Sequence, residues 1–300
     1  MKVAVVSTGS PDFQIDIVAD GLIRLLGKEN VHLDYNRRVA PDGRYSQLMM
    51  GFQYPNSFEL EAADILVTSV RTPISVPRLW KQKTGKAKIA VMDGEDDPNL
   101  RHNVKEATVY FKREYLKGTA YPANVVPLPF AAIPEEIPPQ IPGKPPRDIP
   151  VFWCCMIRNQ IRLDITDALR QMGFKIEEGR HENTMTVGGL TGKTGYNERM
   201  VRSLVGISAR GAGWDTYRYW EIPWFAAVLM SHRLGIVIPE DFVDGKEAVF
   251  FNDAKDMKAK LAGLLKDEPR LKEIAAAGAR AVRERHLSIN RAKRVLEALA

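Results

Sequence analysis

Residues Ile207 to Met230, ISARGAGWDTYRYWEIPWFAAVLM, bring a strand end, a glycine-rich turn, charged side chains and helix signals into one stretch. Leu204 to Ser208 is a short apolar run that breaks at Arg210-Gly211-Ala212-Gly213, the pattern of a buried strand entering a loop. Asp215 or Thr216 then caps a helix, and the almost continuous apolar run Tyr217 to Met230 predicts that this helix is buried on most sides, with Pro223 near its start or at a kink. Arg218 and Glu221, spaced i, i+3, fall on one face. A helix N-terminus beside a glycine loop offers free N–H groups and a positive dipole end, which suit a diphosphate. Arg218 adds charge-assisted bonds to such an anion, and Glu221 can accept from sugar hydroxyls. The same pair also fits a salt bridge on the surface of any α/β domain.

Outward from this stretch the chain alternates strands and helices. Met1 to Ser7 reads as a buried strand, Thr8 to Pro11 as a break, and Asp12 to Gly27 as a helix with one apolar face. Strands follow at Val31 to Tyr35, Ala63 to Val70, Lys88 to Met92 and Ala107 to Phe111, with a long loop over 36–56 and a helix near Val76 to Gln82. The strand at Lys88 to Met92 runs into Asp93-Gly94-Glu95-Asp96-Asp97. Carboxylates crowded at a strand's end repel one another and raise their pKa values, which makes Asp93, Glu95 and Asp97 candidate catalytic bases or hydroxyl-binding groups. Helix capping with solvated charge accounts for the same residues.

Residues 127–150 hold nine of the chain's 19 prolines, PLPFAAIPEEIPPQIPGKPPRDIP. Such a segment fits neither a sheet interior nor a helix, and predicts an extended crossing between two bodies. The rhythm then restarts: strand Ile149 to Met156, turn Arg158-Asn159-Gln160, helix Arg162 to Met172 with Leu163 inward, and a short strand Phe174 to Glu177. After Met230 come a strand at Gly235 to Pro239, a hairpin-like segment at Phe242 to Phe251, and helices at Asp253 to Leu265, Pro269 to Arg285 and Ser288 to Ala300, the last with a Ser cap.

Arg218-Tyr219-Trp220-Glu221, a small-residue apolar helix, the strand at Gly235 to Ile238 and then Asp244-Gly245-Lys246-Glu247-Ala248-Val249-Phe250-Phe251 stand in an order that resembles the C-terminal half of GT-B glycosyltransferases. The resemblance is to the bacterial group related to spore-maturation glycosyltransferases and, more distantly, to exostosin-like enzymes, and covers the last third of the chain. The order DGEDD…YFKREY at Asp93 to Tyr115 is similar to that group's acceptor-side half. The resemblance implies an α/β fold of two Rossmann-like domains facing across a cleft. It implies a first domain over 1–130, a proline-rich linker over 131–148, a nucleotide-sugar domain over 149–287, and a final helix, 288–300, packing back on the first domain. It further implies a glycosyltransferase using a nucleotide-diphosphate sugar of UDP or GDP type, with an unknown glycan or small-molecule acceptor and no metal. In that reading Arg158, Arg210 and Arg218 neutralise the diphosphate, with Asn159 and Arg162 beside Arg158. Backbone at Gly211 to Thr216, including Asp215, assists them, Glu221 holds sugar hydroxyls, and Trp214 stacks on a base or sugar. Gly213 stands where many retaining relatives carry the first of two glutamates, which leaves the stereochemical outcome open. A non-catalytic nucleotide- or sugar-binding protein of the same fold is the alternative.

Composition bounds other classes. The charge of +6 comes from 43 basic against 37 acidic residues without a long basic block, so no nucleic-acid partner is expected. No apolar run approaches the length of a membrane span and no signal peptide opens the chain, so a cytoplasmic protein is expected. The adjacent Cys154 and Cys155 read as reduced core thiols. Only Gly9 stands where a dinucleotide fingerprint needs three glycines. Gly188 to Thr194, GGLTGKT, misses a phosphate-loop motif because Val187 takes the place of its first glycine, and reads as a loop at the cleft mouth.

Overall fold

Two parallel sheets, each built by strand and helix alternation, organise the chain. The computed structural model describes residues 1–7, 12–35, 56–134, 146–174, 186–187 and 190–300. The break expected at Thr8 to Pro11, the long loop over 36–55, the centre of the proline-rich segment (135–145), most of the short strand after Phe174, and Gly188-Gly189 lie outside the described residues.

The chain divides into two units. The first takes in Met1–Ile133, Ile236–Pro239 and Leu287–Ala300; the second takes in Pro134–Gly235 and Glu240–His286.

In the first unit β1 (Val3–Ser7), β2 (Val31–Tyr35), β3 (Ile65–Ser69), β4 (Ile89–Asp93), β5 (Val109–Lys112) and β6 (Val125–Pro127) form one sheet in the order 2-1-3-4-5-6, every pair parallel. The alternation is visible in β1, where Val3 and Val5 join one core and Ala4 and Val6 the other. Helix α1 (Phe13–Leu26) starts where the Asp12 carboxylate accepts from the amides of Gln14 and Ile15. Helix α2 (Ser75–Thr84) buries Pro77 and Trp80.

In the second unit β7 (Ile149–Phe152), β10 (Ser203–Ser208), β11 (Val228–His232) and β12 (Val249–Phe251) form a parallel sheet in the order 12-11-10-7, and β8 (Thr186–Val187) pairs antiparallel with β9 (Leu190–Thr191). The helices are α3 (Gln160–Gln171), α4 (Gly192–Val201), α5 (Tyr217–Trp224), α6 (Ala254–Leu264) and α7 (Glu268–Arg285). Helix α8 (Ser288–Ala298) belongs to the first unit and packs along α1. There the Ser288 hydroxyl donates to Asp20, and a side chain at Gly21 would run into the Ser288 carbonyl.

Several expectations are corrected. The helix expected over Tyr217 to Met230 is only the eight residues of α5, and its apolar tail is β11. Ala226 turns the chain at φ 57°, and Val228 to Ser231 then pair with Val205 to Ser208. A fully buried helix and a buried strand share one apolar pattern, so the pattern alone does not separate them. The strand expected at Gly235 to Pro239 is a single bridge of Ile236 to Leu116, with Val237 donating to the Tyr115 carbonyl at 2.8 Å, all within the first unit. Phe242 to Phe251 is not a hairpin, because Val249 to Phe251 pair parallel to β11. Strand β7 ends at Phe152, four residues early. Ser288 is the first helical residue rather than the cap.

Candidate functional site

In the second unit the C-terminal ends of β7 and β10 lead into the first turns of α3 and α5, the place where parallel α/β sheets receive ligands. Asn159 caps α3, its Oδ1 accepting from the Arg162 amide at 3.2 Å. Its Nδ2 donates to the carbonyls of Arg210 and Gly211, both at 3.0 Å, so the cap of one helix is tied to the glycine loop before the other. Arg162 is buried at 5 % exposure, and its guanidinium donates to Met156 O at 2.9 Å and Ala209 O at 3.1 Å. Helix α3 therefore turns Arg162 inward, whereas Leu163, read from the sequence as inward, is exposed at 38 %. Burial, followed by the nearby charges of Arg218 and Arg158, lowers the Arg162 pKa to about 10.

Arg218 is half-buried on the first turn of α5. Desolvation disfavours its charge, but Tyr196, Cys155, Cys154 and Glu221 close by outweigh that and raise its pKa. Its Nε has no hydrogen-bond partner, nor has that of Arg162 or Arg210. Among the described residues Arg158, Arg162, Arg210 and Arg218 form no ion pair with a carboxylate. Glu221 is buried and accepts from the Tyr196 hydroxyl at 2.8 Å. Cys154 and Cys155 are buried and unbridged, and burial raises the Cys155 pKa, keeping it a thiol.

A second group forms around Trp214. The Arg210 guanidinium lies 4.5 Å from the indole centroid, and the His232 ring stacks on the same indole at 6.0 Å and 10°. A side chain at Gly235 would come within 3.0 Å of Trp214, so the indole lies against backbone there. Asp215 accepts from Trp220 Nε1 at 2.8 Å, and the Thr216 hydroxyl meets that of Ser208 at 3.1 Å. Gly211 N–H donates to Gly213 O at 2.8 Å, closing the loop on itself.

The comparable strand ends of the first unit carry the Asp93 to Asp97 cluster. The expected mutual repulsion is absent, because each carboxylate has its own cation. Asp93 is fully buried and accepts from Lys112 Nζ at 2.8 Å and the Tyr110 hydroxyl at 2.6 Å. Glu95 pairs with Arg71 at 2.6 Å, Asp96 with Arg113, and Asp97 with Arg101. Burial by itself would raise the Asp97 pKa, but the Asn99 amide, Arg101 and Lys112 together outweigh it and lower the pKa, the opposite of the expected direction. Asp93 is sealed away from solvent, so its pairing is structural.

Residues 181–297 match the model of the glycosyl transferase-like family. Across the whole chain, the structure of Anabaena Alr3699/HepE in complex with UDP-glucose superposes with a TM-score of 0.64 at 8 % identity, covering 100 % of this chain and 99 % of that one. A glycosyltransferase from Rickettsia africae gives 0.62 at 12 % identity, over 99 % and 98 %. Sucrose-phosphate synthase from Thermosynechococcus elongatus gives 0.53 at 9 % identity, over 99 % and 98 %. The match to a glycosyltransferase-like domain is thus confined to 181–297, and the chain as a whole has the GT-B fold of two Rossmann-like domains. The matches do not place it in the spore-maturation or exostosin-like group, and no curated protein matches the chain.

In the second unit the structure brings Arg158, Arg162 and Arg218 into one electrostatic neighbourhood and turns Arg210 to Trp214. It spends the amide of Asn159 and the carboxylate of Asp215 on internal bonds. His232 was missed by the sequence reading because the strand carrying it was taken for helix. Asp12 and Asp16 were missed as well. Burial raises both pKa values, that of Asp16 to about 8 with the Asp12 charge adding to it, and Asp16 Oδ1 has no partner. Their only sequence signal was the i, i+4 spacing at the start of α1. Among the described residues no group of His, Cys, Asp and Glu could hold a metal ion, and no described helix is long and apolar enough to cross a membrane.

Proposed function

We propose that the protein transfers a sugar from a nucleoside-diphosphate sugar of UDP type to a hydroxyl-bearing acceptor. The observation that carries this reading is the group of arginines at the strand ends of the second unit, none ion-paired to a carboxylate among the described residues. Burying a cation without counter-charge, as at Arg162, is costly, and an anionic ligand removes the cost. A leaving diphosphate gathers negative charge as the glycosidic bond breaks, so guanidinium groups already in place stabilise the transition state more than the ground state. Arg158 and Arg218 meet the phosphates, and backbone N–H groups of the Gly211 to Thr216 loop support them. Glu221, oriented by Tyr196, receives donor hydroxyls. Trp214, backed by Arg210 and His232, offers an aromatic face to the base. The UDP-glucose held by the Anabaena protein of the same fold supports the donor class. Glu95 and Asp97, half-buried and salt-bridged, are proposed for acceptor hydroxyls.

Calorimetric titration with UDP, GDP and uridine tests the reading. UDP is expected to bind, and Arg218→Ala to weaken it at least about tenfold, the worth of one charge-assisted contact, with unchanged circular dichroism. An unaltered dissociation constant would remove Arg218 from the site. Release of UDP from UDP-glucose by the wild-type chain separates an enzyme from a binding protein.

A further inference from the structure

Arg162 is buried and Asn159 spends its side chain on internal hydrogen bonds, yet both reach the loop that the diphosphate reading depends on. We propose that they are positioning residues: a clasp from the first turn of α3 that presets the backbone of the glycine loop for an anion, with Arg162 supplying an unneutralised charge behind it. This rests on the anion reading of the site and adds how the site is held ready.

The argument begins with the peptide bond. In a trans peptide the carbonyl of one residue and the N–H of the next point in opposite directions. Arg162 Nη2 holds Ala209 O, and Asn159 Nδ2 holds Arg210 O and Gly211 O. Three successive carbonyls are thereby turned towards α3, so the N–H groups of Arg210, Gly211 and Ala212 point away from it. The Gly211 N–H is spent on Gly213 O. Those of Arg210 and Ala212 are left on the outward side as two donors with no partner among the described residues, open to an anion. Arg162 Nη1 also holds Met156 O, so the same guanidinium ties the segment after β7 to the end of β10.

Charge gives the second half of the argument. The partners of Arg162 are carbonyls, and the charges nearest it are further arginines, Arg218 and Arg158. A purely structural clasp could use a neutral amide, as Asn159 does. A buried guanidinium with like charges around it is matched only when an anion arrives. Gly211 fits the same picture, since a Cβ there would lie 3.0 Å from Arg162 Nη2 and would press the guanidinium away from the loop.

The test compares Arg162→Gln, Arg162→Lys and Asn159→Ala in the full chain, using UDP, inorganic pyrophosphate and uridine as probes. Arg162→Gln is expected to weaken UDP and pyrophosphate by about tenfold or more while leaving uridine within about twofold. Arg162→Lys should recover part of the loss. Asn159→Ala should weaken both anions and shift the amide resonances of Arg210 and Ala212, which in the wild type move on adding pyrophosphate. Equal losses for UDP and uridine in Arg162→Gln would reduce the residue to a general scaffold and overturn the proposal. So would wild-type Arg210 and Ala212 amides that ignore pyrophosphate. Pyrophosphate binding with those amide shifts but without UDP binding would sink the nucleotide reading and leave the clasp standing.

Discussion

The two sheets end in opposite electrostatic states. At the strand ends of the first unit, Asp93, Glu95, Asp96 and Asp97 each face a basic side chain, Lys112, Arg71, Arg113 and Arg101 in turn. At the strand ends of the second, Arg158, Arg162 and Arg210 have carbonyls, sulfur atoms and an indole for neighbours, while Arg218 has Tyr196, the two cysteines and Glu221 close by without an ion pair among the described residues. One edge pairs its charges one to one, and the other leaves most of its positive charge without a paired carboxylate among the described residues. Equal architecture therefore does not imply equal use. In the proposed reading the anion goes to the second unit, where Arg162, Arg210 and Arg218 are partly desolvated and, among the described residues, paired with no carboxylate.

The sharpest way to break this contrast is at Asp93. Lys112→Ala leaves a fully buried carboxylate without its cation, and should cost the protein about 3–5 kcal/mol in denaturant unfolding. Lys112→Ala together with Asp93→Asn should recover much of that loss. A loss below about 1 kcal/mol for the single variant, the size of a surface pair, would show that the internal balance of the first edge is of little consequence.

Asp16 is the exception at the first unit, and it yields a pH dependence. Its pKa rises from 3.8 in the unfolded reference to about 8 in the fold, because burial and the neighbouring Asp12 charge disfavour ionisation. Between those values the folded state holds a proton that the unfolded state has lost, so stability falls as pH rises from about 4 to 8. Beside the pair stands Arg71, itself bound to Glu95, and the Ser69 hydroxyl donates to the Asp12 carboxylate. Asp16→Asn should flatten the slope, which reaches at most about 1.4 kcal/mol per pH unit, and should make the protein more stable than wild type at pH ~8. Parallel stability curves for the two proteins would refute the assignment.

Much of this was legible in the chain and part was not, for physical reasons. The βα alternation and the GT-B resemblance were readable because buried parallel strands are short apolar runs closed by turn residues, and 3–7, 65–69, 89–93 and 203–208 all have that form. The helix expected over Tyr217 to Met230 was read too long, because burial on all sides erases the periodicity that separates helix from the strand that follows Trp224. Arg158, Arg210, Arg218 and Glu221 could be picked out by type and position. The inward turn of Arg162 could not, since its partners are carbonyls and a carbonyl leaves no mark in the sequence. The carboxylates after Asp93 misled for the converse reason: Arg71, Arg101, Lys112 and Arg113 come from three other segments, and only the fold brings them to the cluster.

The smallest effect is expected at Glu95, and it bears directly on the contrast. Its pair with Arg71 is short at 2.6 Å, but both side chains keep about a quarter of their exposure. Water therefore screens the attraction, and ordering two long side chains offsets part of what remains. Glu95→Gln should change stability by no more than about 1 kcal/mol, several times less than the buried pair of Asp93 and Lys112. If Glu95 receives an acceptor hydroxyl, the same variant should raise the acceptor KM without altering the UDP dissociation constant. A change in UDP affinity instead would mean that the two edges do not divide acceptor and donor as their charges suggest.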